Sequence, residues 1–194
     1  APFLAAFLAI PDIIIAGLFQ RGSFNPEATR AAADVLAAYT LGLPPVLMIR
    51  SAVASFTARG DTKTPLWASL TAIGCNLALK LLLWNRMGAT GLAFATAMGA
   101  WINLTILWGL ASHQGKSEPD GPLGRTIVVA SGAALALLIA LLALRGPIEA
   151  NGAFITPRFA REWALGWLSL IGLAVYGGAA IGLARLMGVR LARR

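Results

Sequence analysis

The strongest constraint on this chain is its sequence of uninterrupted apolar runs, each about as long as a bilayer is thick, separated by short polar turns. In hydrocarbon the backbone must satisfy itself, so only helices or closed barrels can span. Barrel strands read as short alternating segments. These runs are continuous and rich in Leu and Ala, so the expected class is all-α: a polytopic bundle of six transmembrane helices. Composition agrees, with 58% hydrophobic residues, 12% charged and a mean hydropathy of +0.73.

The expected spans are about Ala1 to Phe19, Pro26 to Ala58, Pro65 to Trp84, the stretch after Gly91 to about Ala111, Leu123 to Leu144, and Trp163 to Met187. Pro11 sits mid-run in the first, where a missing N–H should kink the helix, and Asp12 follows it. A carboxylate at membrane depth is costly unless it faces a cavity or a partner, which makes Asp12 a candidate cavity residue. Asn25, Pro26 and Glu27 read as cap, first helical residue and first-turn acid of the second span.

Within that span Pro44 and Pro45 should break the helix near mid-membrane, and Arg50 follows within two turns. Broken helices bearing a buried cation commonly line transport cavities. Arg50 could instead snorkel to the interface, a strained reach from its depth. In the third span Asn76 and Lys80 share a face; Asn76 is a further cavity candidate, and Lys80 sits near enough to one end to snorkel. Trp67 and Trp84 mark the ends as interfacial aromatics do. Gly91, Ala95, Gly99 and Asn103 form a stripe of small residues that lets another helix approach closely.

Residues 113–122 form the most polar stretch and read as a linker, dividing the chain into a four-helix portion, 1–112, and a final portion, 123–194, of two helices and a basic tail. The fifth span carries no ionisable residue between Thr126 and Leu144, and Arg145 to Glu162 reads as a long loop.

The net charge of +8 does not indicate nucleic-acid binding, because the basic residues are dispersed over loops and a tail. Six spans place Arg59, Lys63, Lys116, Arg125, Arg185, Arg190, Arg193 and Arg194 on one side, the side expected to be cytoplasmic. The lone Cys75 lies mid-span and permits no intrachain disulfide, and His113 has no neighbour with which to form a ligand set or a catalytic base. No metal-ligand spacing, phosphate loop or nucleophile–base pair is present, so neither a cofactor nor an enzymatic reaction is expected. What remains is transport, or a structural membrane subunit.

The segment Ala38-Tyr39-Thr40-Leu41-Gly42-Leu43-Pro44, the loop Leu18 to Phe24, the Ile10-Pro11 break and, most specifically, Phe56-Thr57-Ala58-Arg59-Gly60-Asp61-Thr62-Lys63-Thr64-Pro65 carry a resemblance. Together they resemble the lipid II flippase family (MurJ, also called MviN) of the MOP exporter superfamily, through about Leu110; the last two spans match by position and hydrophobicity. The resemblance implies the C-terminal six of fourteen helices, a bacterial inner-membrane location, a cytoplasmic C-terminus and alternating access. It also implies partners: an undecaprenyl-linked lipid substrate, membrane lipids, and N-terminal helices of the same protein preceding Ala1. The final two helices would form a groove for the lipid tail. The family's essential arginines lie in helices ahead of this chain, so none is carried over, and Arg50 stands where relatives often have a basic residue. Arg59, Asp61, Lys63 and Pro65 are the residues of the hinge motif. A polysaccharide or drug exporter of the same superfamily and a non-transporting scaffold are the alternatives.

Overall fold

The computed structural model describes residues 1–20, 24–113, 121–155 and 160–187. The elements are α1 (Pro2–Ala9), α2 (Pro11–Phe19), α3 (Pro26–Thr40), α4 (Leu43–Thr57), α5 (Lys63–His113), α6 (Gly121–Ile155) and α7 (Ala160–Leu186). Four segments are long and apolar enough to cross a membrane, and the bent α1–α2 pair would make a fifth.

One of the four, α5, is not a single rod. Its 51 residues would measure about 76 Å if straight, against roughly 30 Å of hydrocarbon. Gly88 breaks it with φ 53° and ψ −132°, a conformation open to glycine because it has no Cβ. The arms, 63–87 and 89–113, then fold back on each other. Asn76 Nδ2 donates to the Ala95 carbonyl at 3.2 Å, and Gly99 lies so close to Asn76 that an added Cβ would stand 2.7 Å from Nδ2. The small-residue stripe is therefore the face applied to the first arm. The expected turn over residues 85–91 shrinks to Gly88, because residues on either side keep helical geometry.

The helices form two compact units, divided within α3 between Ala33 and Asp34. The second unit holds residues 34–118. In it, α4 packs on α5 through buried Phe56, Ala68 and Leu107, with Ile49, Ala52 and Val53 beside them. The first unit joins residues 1–33 to 119–194. Here Ala5, Ala9, Ile10 and Ile13 of the α1–α2 region share a core with Ala134, Leu137 and Leu141 of α6 and Ala164 and Leu168 of α7. Contacts thus group the first helices with the last pair, a different division from the sequential one.

Several expected boundaries move. The first span is two helices meeting at 86° across Ile10. The second span divides at Leu41–Gly42 into α3 and α4. The expected loop from Arg145 is helical as far as Ile155, with Pro147 inside α6. One proline removes a single ladder bond, and Leu144 and Ile148 on either side of it pack on the shared core. Of the linker, residues 114–120 lie outside the described residues, as do Arg190, Arg193 and Arg194 of the tail.

The surface is greasy where a soluble protein's would not be. Leu66, Leu70, Ile73, Leu77 and Leu81 recur along one exposed face of the first α5 arm, and Leu135, Ile139, Leu142, Leu170 and Leu173 are exposed on α6 and α7. Exposed leucines at helical spacing over a whole helix suit hydrocarbon as solvent.

Candidate functional site

The residues singled out by sequence lie at three places: the α3–α4 junction with Arg50, the Arg59–Pro65 turn, and the Asp12 region of the first unit.

At the junction the chain turns through Leu41 and Gly42 before α4 starts at Leu43. The expected mid-helix break at Pro44 and Pro45 is displaced: both prolines occupy the first turn of α4, and the break precedes them. The reason is local, since a first-turn proline lacks only an N–H that has no helical partner anyway. The Pro45 nitrogen cannot serve the Leu41 carbonyl four residues back. The Trp101 indole nitrogen donates to that carbonyl instead, at 3.0 Å. Gly42 sits against the same α5 arm, where an added Cβ would stand 3.0 Å from the Ala97 Cα. Trp101 drew no role from sequence, and Gly42 stood only as part of the 38–44 segment; an orphan carbonyl four residues before a proline was the signal available.

Arg50 lies two turns into α4, exposed together with Val46 and Ala54 on the face away from Ile49, Val53 and Phe56. The second unit therefore does not bury it. Beside the junction is a cavity of about 560 Å³, lined by Met48, Trp101, Leu104, Thr105, Trp108 and Gly109. None of those residues is charged, and the Thr105 hydroxyl is spent on the Ile102 carbonyl at 2.9 Å. The cavity suits apolar matter and does not include Arg50.

The turn from Phe56 to Pro65 is a stop signal joined to a start signal. Phe56 is 1% exposed and anchors α4. Its carbonyl accepts from the N–H groups of Arg59 and Asp61, at 3.0 and 3.1 Å, while the Gly60 N–H donates to the Thr57 carbonyl at 2.9 Å. With Gly60 at φ 76° this is a Schellman C-cap. Asp61 then opens α5 by accepting from the Thr64 N–H at 3.0 Å. Pro65 lies buried in the first turn, whereas Arg59 and Lys63 are exposed. The motif's chemistry is that of reversing the chain within ten residues.

In the first unit Asp12 stands in the first turn of α2, and its Oδ2 accepts from Arg145 Nη2 of α6 in an ion pair. Its Oδ1 is enclosed without a hydrogen-bond partner. Asn76, the other cavity candidate, spends its amide on the Ala95 carbonyl inside the α5 hairpin. The structure brings Asp12, Asn76 and Arg50 to no common place within either unit.

Interrupted helices of membrane length with exposed apolar faces describe a membrane bundle without naming its family. The family described as lipid II flippase MurJ matches residues 1–174. The chain belongs to the MurJ family. The match runs through α6 and into α7, beyond the segment whose motifs carry the resemblance. The probable lipid II flippase MurJ of Rhizobium meliloti (strain 1021) is 32% identical over 186 residues, covering 94% of this chain and 34% of that protein. That of Vibrio cholerae is 29% identical over 98% of this chain and 35% of its own length. That of Synechocystis is 38% identical over 102 residues, 52% of this chain. The chain thus spans about a third of the length of the first two MurJ relatives.

Proposed function

We propose that this chain forms the C-terminal part of a lipid II flippase, which moves an undecaprenyl-pyrophosphate-linked peptidoglycan precursor across the bacterial inner membrane by alternating access. The observation that carries the reading is the MurJ family match over residues 1–174, on a chain whose helices are of membrane length and apolar outside. In this reading α1–α2, α3–α4, the two α5 arms, α6 and α7 make six crossings, and the C-terminus is cytoplasmic, as the lysine and arginine placement favours.

Arg50 is the residue we assign to the headgroup pathway. A guanidinium left uncovered by its own unit needs an anionic or aqueous counterpart in the complete protein, and a pyrophosphate supplies one by charge-assisted, bidentate hydrogen bonds. Asp12 and Asn76 take structural roles, because each is already engaged by a neighbouring helix. The exposed leucines of α6 and α7 offer the polyprenyl tail an apolar track.

The test is genetic and direct. The complete protein bearing this segment replaces the resident flippase in a depletion strain, and lipid II on each leaflet is quantified. Restored growth with lipid II reaching the outer leaflet is the expected result. Lipid II accumulating on the cytoplasmic side despite membrane insertion would overturn the proposal.

A further inference from the structure

We propose that the α3–α4 junction is a clamped hinge, with Gly42 bearing on Ala97 as its pivot and the Trp101 indole as its clamp. Pro44 and Pro45 carry no N–H, so the carbonyls of Thr40 and Leu41 receive nothing from the helical ladder. The junction therefore lacks the bonds that make an unbroken helix stiff, and a change of bend there breaks little. Its rigidity must come from the side, and two contacts with the second α5 arm provide it. Gly42 approaches Ala97 so closely that an added Cβ would stand 3.0 Å from Cα and 3.3 Å from Cβ. Four residues further along that arm, one turn of helix, Trp101 Nε1 donates to the Leu41 carbonyl at 3.0 Å.

The two contacts have different mechanical characters. A glycine on an alanine is smooth and leaves the angle free. A hydrogen bond to a carbonyl is directional and holds one angle. Beyond the junction α4 is fixed to α5 by Phe56, Ala68 and Leu107. The arm that moves when the clamp opens is α3. Trp101 is 40% exposed and also walls the apolar cavity that contains Met48 of α4, so the indole has room to withdraw from Leu41. Trp101 is a positioning residue in this account.

The experiment uses the complete protein in lipid nanodiscs, with Cys75 replaced by Ala and spin labels at exposed Asp34 on α3 and Ser51 on α4. A second pair, at Ser51 and exposed Thr71, reads α4 against α5. Trp101 is replaced by 3-benzothienylalanine, which keeps the bicyclic ring and removes only the N–H; Trp101→Phe is a second variant. The expected result is a broadened or displaced distance between Asp34 and Ser51 with the Ser51–Thr71 distance unchanged. Gly42→Ala, which pushes the junction off Ala97 while sparing the indole, should displace the first distance as well. An unaltered Asp34–Ser51 distribution on loss of the N–H overturns the clamp. Equal disturbance of both distances also overturns it, because Trp101 would then merely pack the unit.

Discussion

Asp12 and Arg145, 133 positions apart in sequence, form an ion pair in which each side chain keeps 36% of its surface exposed. The pair ties the second helix to the sixth, and with the shared alanine and isoleucine core it holds the bent α1–α2 element onto α6. Partial exposure decides its worth. A fully exposed pair contributes about 0–1 kcal/mol, and breaking a buried one costs about 3–5 kcal/mol. Asp12→Asn should therefore cost roughly 1–3 kcal/mol, between these limits. Thermal unfolding of the complete protein in detergent measures it. A loss as large for Asp12→Asn in an Arg145→Gln background as in the wild type would show that the two side chains are not coupled.

The turn that closes α4 and opens α5 makes a separable prediction. Nothing lies within 4 Å of a Cβ added at Gly60, so Gly60→Ala meets no clash and suffers only from its φ of 76°. The cost should be about 1–2 kcal/mol. Asp61→Ala should cost about 1 kcal/mol through loss of the cap on Thr64. Neither change should abolish transport by a correctly inserted protein, which a flux assay normalised to membrane content would check.

The α5 hairpin depends on a fit between an amide and a glycine. Gly99→Ala places a methyl 2.7 Å from Asn76 Nδ2 and 2.9 Å from its Cβ, displacing the amide from the Ala95 carbonyl. A loss of about 1–3 kcal/mol is expected, as for other overpacked sites. Asn76→Ala removes the hydrogen bond and the amide part of the obstruction, leaving the Cβ at 2.9 Å, at roughly 0.6–1.7 kcal/mol. The double variant should then lose less than the sum of the two. Strict additivity would mean that the contact is not what limits either substitution.

Arg50 carries the functional prediction. Arg50→Ala in the complete protein should lower lipid II flipping by roughly tenfold or more, because a charged hydrogen bond is worth about 1.5–3 kcal/mol. Arg50→Lys should fall between, keeping charge without the bidentate fork. Flipping at the wild-type rate in Arg50→Ala, at equal protein in the membrane, removes Arg50 from the pathway.

Reading residues in order reached the class, the helical runs and the family, because each rests on local information. A run of apolar residues answers to hydrocarbon whatever its neighbours do, and the stretch from Phe56 to Pro65 encodes its own reversal in a glycine, an aspartate and a proline. Pro11 announces an interruption by the same local logic, though the 86° between the two helices is seen only in the folded chain. What tertiary structure alone decided is where the polar groups go. Asp12 meets Arg145 and Asn76 meets Ala95 across helix faces, and no spacing rule relates residues that distant in sequence. The same holds for the Leu41 carbonyl: Pro45 made it an orphan in the sequence, and only the approach of another helix determined that Trp101 would adopt it.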